Sequence, residues 1–224
     1  MTGPGPSQAS GGTIAGPDLQ FSVQGAAVAQ AVAPAIALEL RVERSCGGPV
    51  RSLVLAAQVR IAAPRRGYDA ATRERLLGVF GPPEAWARSL TSLLWARPTV
   101  LVPGFDERAV VELHLPCSYD MQVAHAGYLA GVRDATIPLE LLFSGSVFYA
   151  AEDGRLQVAQ VSWEKEAAYD LPAALWQEAM DHHFPGARWM RLDTEHLDRL
   201  LAFRSRQALP TWEATVDALL EDRP

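Results

Sequence analysis

His114, Cys117, Asp120 and His125 stand close together in the sequence and are the residues whose types could do chemistry. A thiol beside an imidazole is the pairing of nucleophilic catalysis, because the thiolate is the attacking form. His114 shares one face of a predicted strand with Glu112, and a carboxylate at that spacing can tune an imidazole for general-base work. The same spacing also makes an ordinary surface pair. Cys117-Ser118-Tyr119-Asp120 ends that strand, and nothing in the sequence sets a histidine against the thiol. A buried structural cysteine is the competing reading.

Other chemistries leave weaker marks. Asp181-His182-His183 is the most metal-like run, but adjacent helical residues point roughly 100° apart. No pair sits at the HExxH spacing, so no metal is expected, although His196 lies on the following predicted helix. Lys165 is the only lysine. Its neighbours Glu164 and Glu166 favour its charged form, the opposite of what a nucleophilic lysine needs. Cys46 and Cys117 are far apart and form no CxxC pair, so neither zinc nor a disulfide is indicated. No glycine-rich phosphate loop is present, and Phe143-Ser144-Gly145-Ser146-Val147 lacks the spacing of a nucleophile elbow. No cofactor is expected. The net charge of −6 argues against a phosphate-backbone partner.

Tryptophan points elsewhere. Trp86, Trp176 and Trp212 fit helical core stripes. Trp95, Trp163 and Trp189 sit at predicted element ends, where aromatics pack hinges or build interaction surfaces. These three are the candidate binding residues.

The elements that must position these residues follow from periodicity. Residues 1–17 are rich in Gly, Pro, Ser and Ala and are expected to be a disordered tail without a signal peptide. A single α+β domain is expected over 18–224, strand-rich over 18–162 and helical over 172–224. Phe21 and Val23 mark a first strand. Ile36, Leu38, Leu40 and Val42 mark a second, and Leu53 to Ile61 a third. The last two are expected to form a hairpin through Ser45–Pro49. Asp69 caps a short helix, and Trp86, Leu90, Leu93 and Leu94 read as one helical stripe. Strands return at Thr99–Val102 and Ala109–Leu115. Met121–Val132 fits either a strand or a helix. Ile137–Tyr149 is a strand with Gly145 marking a bulge or close approach, and Leu156–Val161 is its return. Pro172 reads as a first helical position, and Asp193 or Thr194, then Thr211, cap the last helices. The fold class is α+β, an antiparallel sheet built from hairpins and covered by helices. No apolar run is long enough to span a bilayer, so a cytoplasmic protein is expected.

Four runs together carry a resemblance: Ala57–Ile61, Leu141–Tyr149, Val161–Glu166 and Ala208–Trp212. They resemble a bacterial family of unknown function, commonly encoded in actinobacteria near uptake nickel–iron hydrogenase genes. The resemblance implies an accessory role in hydrogenase maturation, assembly or regulation and assigns no site residues. The strand order is also similar to that of the export chaperone SecB, which implies binding of unfolded clients without catalysis.

Three readings follow. The first is a non-catalytic accessory protein that binds another protein, for which the resemblance nominates a hydrogenase subunit or maturation factor. The second is a SecB-like holdase. The third is a small-molecule enzyme with a site near Cys117. No nucleic acid or membrane partner is expected, and the oligomeric state is left open.

Overall fold

The described residues form nine strands, and where apolar residues alternate along them the alternation decides which face is buried. The structure is a computed structural model describing residues 16–118, 120, 123–133, 135–187 and 190–221. Residues 1–15 of the expected tail, and Trp189, lie outside the described residues. The chain divides into two compact units, residues 1–187 and 188–224.

In the first unit, β1 (Asp18–Val28), β2 (Ala35–Cys46) and β6 (Arg108–Pro116) form an antiparallel sheet in the order β1-β2-β6. A second antiparallel sheet contains β3 (Val50–Ile61), β4 (Leu93–Ala96), β5 (Thr99–Phe105), β7 (Thr136–Ala150), β8 (Leu156–Gln160) and β9 (Glu166–Pro172). Within it β3 pairs with β7, β4 and β5 pair with β3, and β8 and β9 pair with β7. Ile36, Leu38, Leu40 and Val42 of the first sheet share one core with Leu53, Leu55, Val59 and Leu141 of the second. Phe21 and Phe143 stack within that core at 4.3 Å between ring centroids.

The expected hairpin between β2 and β3 is not formed. β2 pairs with β1 and β6, and β3 with β7 and the short edge strands. Gly47-Gly48-Pro49 instead carries the chain from one sheet to the other. Alternation fixes which face a strand buries, not which strand lies beside it, so two apolar faces satisfy it equally across a core. Gly47 takes a φ of 90°, and a Cβ on Gly48 would overlap the Ala150 carbonyl oxygen. Both glycines are thus demanded by the crossing.

The helical elements of this unit are short. Asp69 caps α1 (Ala70–Arg75), accepting the Thr72 N–H at 2.7 Å, and α2 (Leu77–Phe80) follows. The expected stripe through Trp86, Leu90, Leu93 and Leu94 is corrected: α3 (Trp86–Ser89) ends early, and Leu93–Ala96 is β4. Leu90 turns to extended backbone (ψ 91°), and the unpaired edge of β3 supplies backbone partners that local propensity does not count. Met121–Val132, open between strand and helix, contains α4 (Ala124–Gly131), with Tyr128 and Leu129 fully buried and Val123 exposed. β9 is a strand that periodicity missed. Pro172 closes it instead of opening a helix, and α5 (Ala174–His183) buries Trp176 and Met180.

In the second unit Asp193 caps α6 (Thr194–Arg206) by accepting the His196 N–H at 2.8 Å. Thr211 Oγ1 accepts the Ala214 N–H at 3.1 Å at the start of α7 (Trp212–Glu221). α6 has no buried residue, and Thr215 is the one buried residue of α7. Among the described residues no helix is long and apolar enough to cross a membrane. The chain is α+β with antiparallel sheets.

Candidate functional site

The residues singled out for chemistry divide between inside and outside. His114 lies on the outward face of β6 with Nε2 3.1 Å from Glu112 Oε2, both side chains exposed. Cys117 follows the end of β6 and is buried, its backbone N–H donating to the Pro34 carbonyl at 2.9 Å. Burial pushes its thiol up to about 12, so the sulfur is protonated at neutral pH and is a poor nucleophile. The half-buried Asp120 donates its backbone N–H to Ser118 Oγ at 3.1 Å. His125, on α4, stacks on Trp95 at 6.5 Å between centroids. Burial lowers its pKa, against a backbone hydrogen bond at Leu94 that raises it. Trp95 is itself buried and donates Nε1–H to the Pro116 carbonyl at 2.9 Å. The fold thus gathers Trp95, His125 and the Pro116–Cys117 backbone, and leaves His114 on the solvent side of its sheet.

The remaining polar motifs are tied into structure. His183 places its two ring nitrogens 3.1 Å from the carbonyls of Ala179 and Ala31. His196 Nδ1 lies 2.7 Å from Asp193 Oδ1 at the helix cap. Lys165 Nζ pairs with Asp18 Oδ1 at 2.6 Å, and Asp18 Oδ2 accepts from Ser45 Oγ at 2.6 Å. The lysine therefore joins β1 to the turn after β8, not the glutamates beside it. Among the described residues no group of three or more His, Cys, Asp or Glu side chains could hold a metal ion.

The outer faces of the two sheets are unlike. On the first, register aligns Gln20 with Glu43 and Arg108, Ser22 with Arg41 and Val110, and Gly25 with Glu39 and Glu112. This is the polar, solvated face expected of an antiparallel sheet covered on one side. On the second, one row reads Leu101, Val54, Ser146, Gln160 and the next Pro103, Ser52, Phe148, Val158. Neither row holds a charge. Leu101 is 65% exposed, Val54 42%, Val158 54% and Leu156, at the end of β8, 65%. Trp163, in the turn beyond β8, is 85% exposed.

Single exposed apolar residues are ordinary, whereas neighbours aligned across adjacent strands make a candidate interaction surface. Of the three candidate binding tryptophans, Trp163 is on the surface, Trp95 is buried and Trp189 lies outside the described residues. The aligned residues Leu101, Val54, Phe148 and Val158 were not singled out from the sequence. Their signal was there in Leu53-Val54-Leu55 and Val147-Phe148-Tyr149, where consecutive apolar residues make both faces of a strand apolar.

A model described as a family of unknown function (DUF6084) matches residues 16–224. Comparison with curated proteins gives no match. Among solved structures, the chain is similar to the CARDB domain of a Pyrococcus furiosus protein in complex with di-metal ions. That likeness has 13% identity and a TM-score of 0.29, covering 75% of this chain and 98% of that one. The chain is also similar to β-glucosidase 3B from Thermotoga neapolitana, with 15% identity and a TM-score of 0.26, covering 69% of this chain and 17% of that one. Neither likeness is close enough to carry an argument about this chain.

Proposed function

We propose that this chain, which belongs to the family of unknown function DUF6084, is a non-catalytic accessory protein that binds another protein. The observation that supports this is the uncharged stretch of the second sheet's outer face that runs from Leu101 on β5 to Val158 on β8, with Leu101, Val54 and Val158 exposed on it. Water gains nothing from such a surface. Covering each half-exposed Leu or Val returns about 1 kcal/mol, and a face without charge prefers an apolar, uncharged surface on its partner. The hydrogenase subunit or maturation factor implied by the resemblance is the first partner to seek. Catalysis through Cys117 draws no support from a buried, protonated thiol with His114 on the other side of the sheet.

The test is affinity purification of the tagged full chain from its native host, with co-purifying proteins identified by mass spectrometry. The proposal expects one protein at near-stoichiometric level, lost with Val158→Asp and retained with Glu112→Ala. Equal recovery by both variants, or no specific protein with the wild type, contradicts it. Many unrelated unfolded proteins would favour the holdase reading instead.

A further inference from the structure

The helical unit carries a second feature, independent of the sheet. Its α6, 13 residues long, and α7, 10 residues long, bury no apolar side chain. Leu201, Trp212, Val216 and Leu220 are all exposed. Two such helices lack the core that makes a bundle stable alone. An open groove of about 520 Å³ runs over them, lined by Leu192, Leu200, Phe203 and Leu219 together with Arg199 and Arg206.

Among the described residues no carboxylate lines this groove. Arg199 and Arg206 form no hydrogen bond or ion pair among the described residues. His196 also lines the groove but is engaged by Asp193. Asp193 is held below its usual range first by hydrogen bonds from His196, with Arg199 the smallest contributor. In a chain of net charge −6, an apolar groove lined by two guanidiniums is a local exception.

We propose that this groove docks a helix of a partner protein whose apolar stripe is flanked by carboxylates. The inference rests on the reading of the chain as a protein-binding protein and adds the chemistry of a second contact. A third helix laid on α6 and α7 would bury Leu200, Phe203 and Leu219 and complete a small bundle. Its carboxylates would meet Arg199 and Arg206 bidentately. An open groove suits a helix better than a lipid-like acid, whose sites enclose most of the ligand.

The experiment measures fluorescence anisotropy of synthetic amphipathic helices with the full-length protein. One peptide carries leucines at helical spacing flanked by glutamate, and its control carries lysine in place of every glutamate. The glutamate peptide is expected to bind, more weakly at high salt, and about tenfold more weakly to the Arg199→Glu/Arg206→Glu double variant. The double variant is expected to prefer the lysine peptide. Phe203→Ala should weaken the glutamate peptide without reversing the preference, and circular dichroism checks that each variant keeps its helices. Equal binding of both peptides, or unchanged preference in the double variant, overturns the proposal. Binding of laurate with no peptide binding overturns it in favour of a small amphipathic acid. The assay is repeated on Val158→Asp. Loss of partner capture there with peptide binding intact indicts the sheet face alone, and the reverse indicts the groove alone.

Discussion

The two sheets are alike on the inside and unlike on the outside. Leu40 on β2 and Leu55 on β3 are both fully buried in the shared core. Behind them, Glu39 and Arg41 face outward on the first sheet, and Val54 and Phe148 on the second. Folding alone explains the inner faces, since hydrophobic burial is what holds two sheets together. It does not explain why the rows through Glu39, Arg41 and Glu43 on the first outer face each hold a charge while the stretch of the second from Leu101 to Val158 holds none. An uncovered apolar stretch lowers solubility and adds nothing to the fold, and the function proposed above reads it as the surface kept for a partner.

The comparison can be broken at several strengths. The largest effect belongs to the inner faces, which should respond equally. Leu40→Ala and Leu55→Ala are each expected to cost about 2–5 kcal/mol in denaturant unfolding. A marked difference would mean that the sheets do not share one core. Next is Gly145 on β7, where a Cβ would overlap the Val54 carbonyl oxygen. Gly145→Ala is expected to cost about 1–3 kcal/mol by forcing β3 and β7 apart, and no loss would show that this close approach is absent.

The outer faces should then separate stability from binding. Val158→Asp and Glu112→Ala are each expected to move unfolding by less than about 0.5 kcal/mol. Only the first should abolish partner capture. A further small effect concerns the tie between the sheets. The Lys165 hydrogen bond, followed by that of Ser45, holds the Asp18 carboxyl below its usual range. A depressed carboxyl contributes stability above its unfolded pKa and loses it as pH falls through the folded value. Lys165→Gln should therefore destabilise by under about 1 kcal/mol at pH 7, screened because the Asp18 side chain is 43% exposed. That difference should vanish in acid; a difference that persists there would assign Lys165 a packing role.

Much of this architecture was legible, for identifiable reasons. Clean alternation along β2 and β7 named their buried residues, and Asp69, Asp193 and Thr211 announced helix starts by cap chemistry. The β7–β8 hairpin was legible, but the partners of β2 and β3 were not, because these strands carry interchangeable apolar faces and the glycines between them serve a hairpin or a crossing equally. Leu93 and Leu94 read as helix because a four-residue strand is too short to show a period, and its pairing along β3 is a long-range fact. β9 was hidden by Ala167 and Ala168, which blur inside and outside. The candidate surface was half legible. Trp163 stood out by type and is exposed, while Val54 and Phe148 were masked by buried neighbours on either side.

The central claim is that a partner covers the second sheet's outer face and not the first's. Its most direct test is site-specific photo-crosslinking in the native host, with the photoreactive residue placed at Val158 in one strain and at Glu112 in another. The account predicts one discrete protein adduct from position 158 and none from position 112. Adducts of equal yield from both positions, or none from position 158, would contradict it.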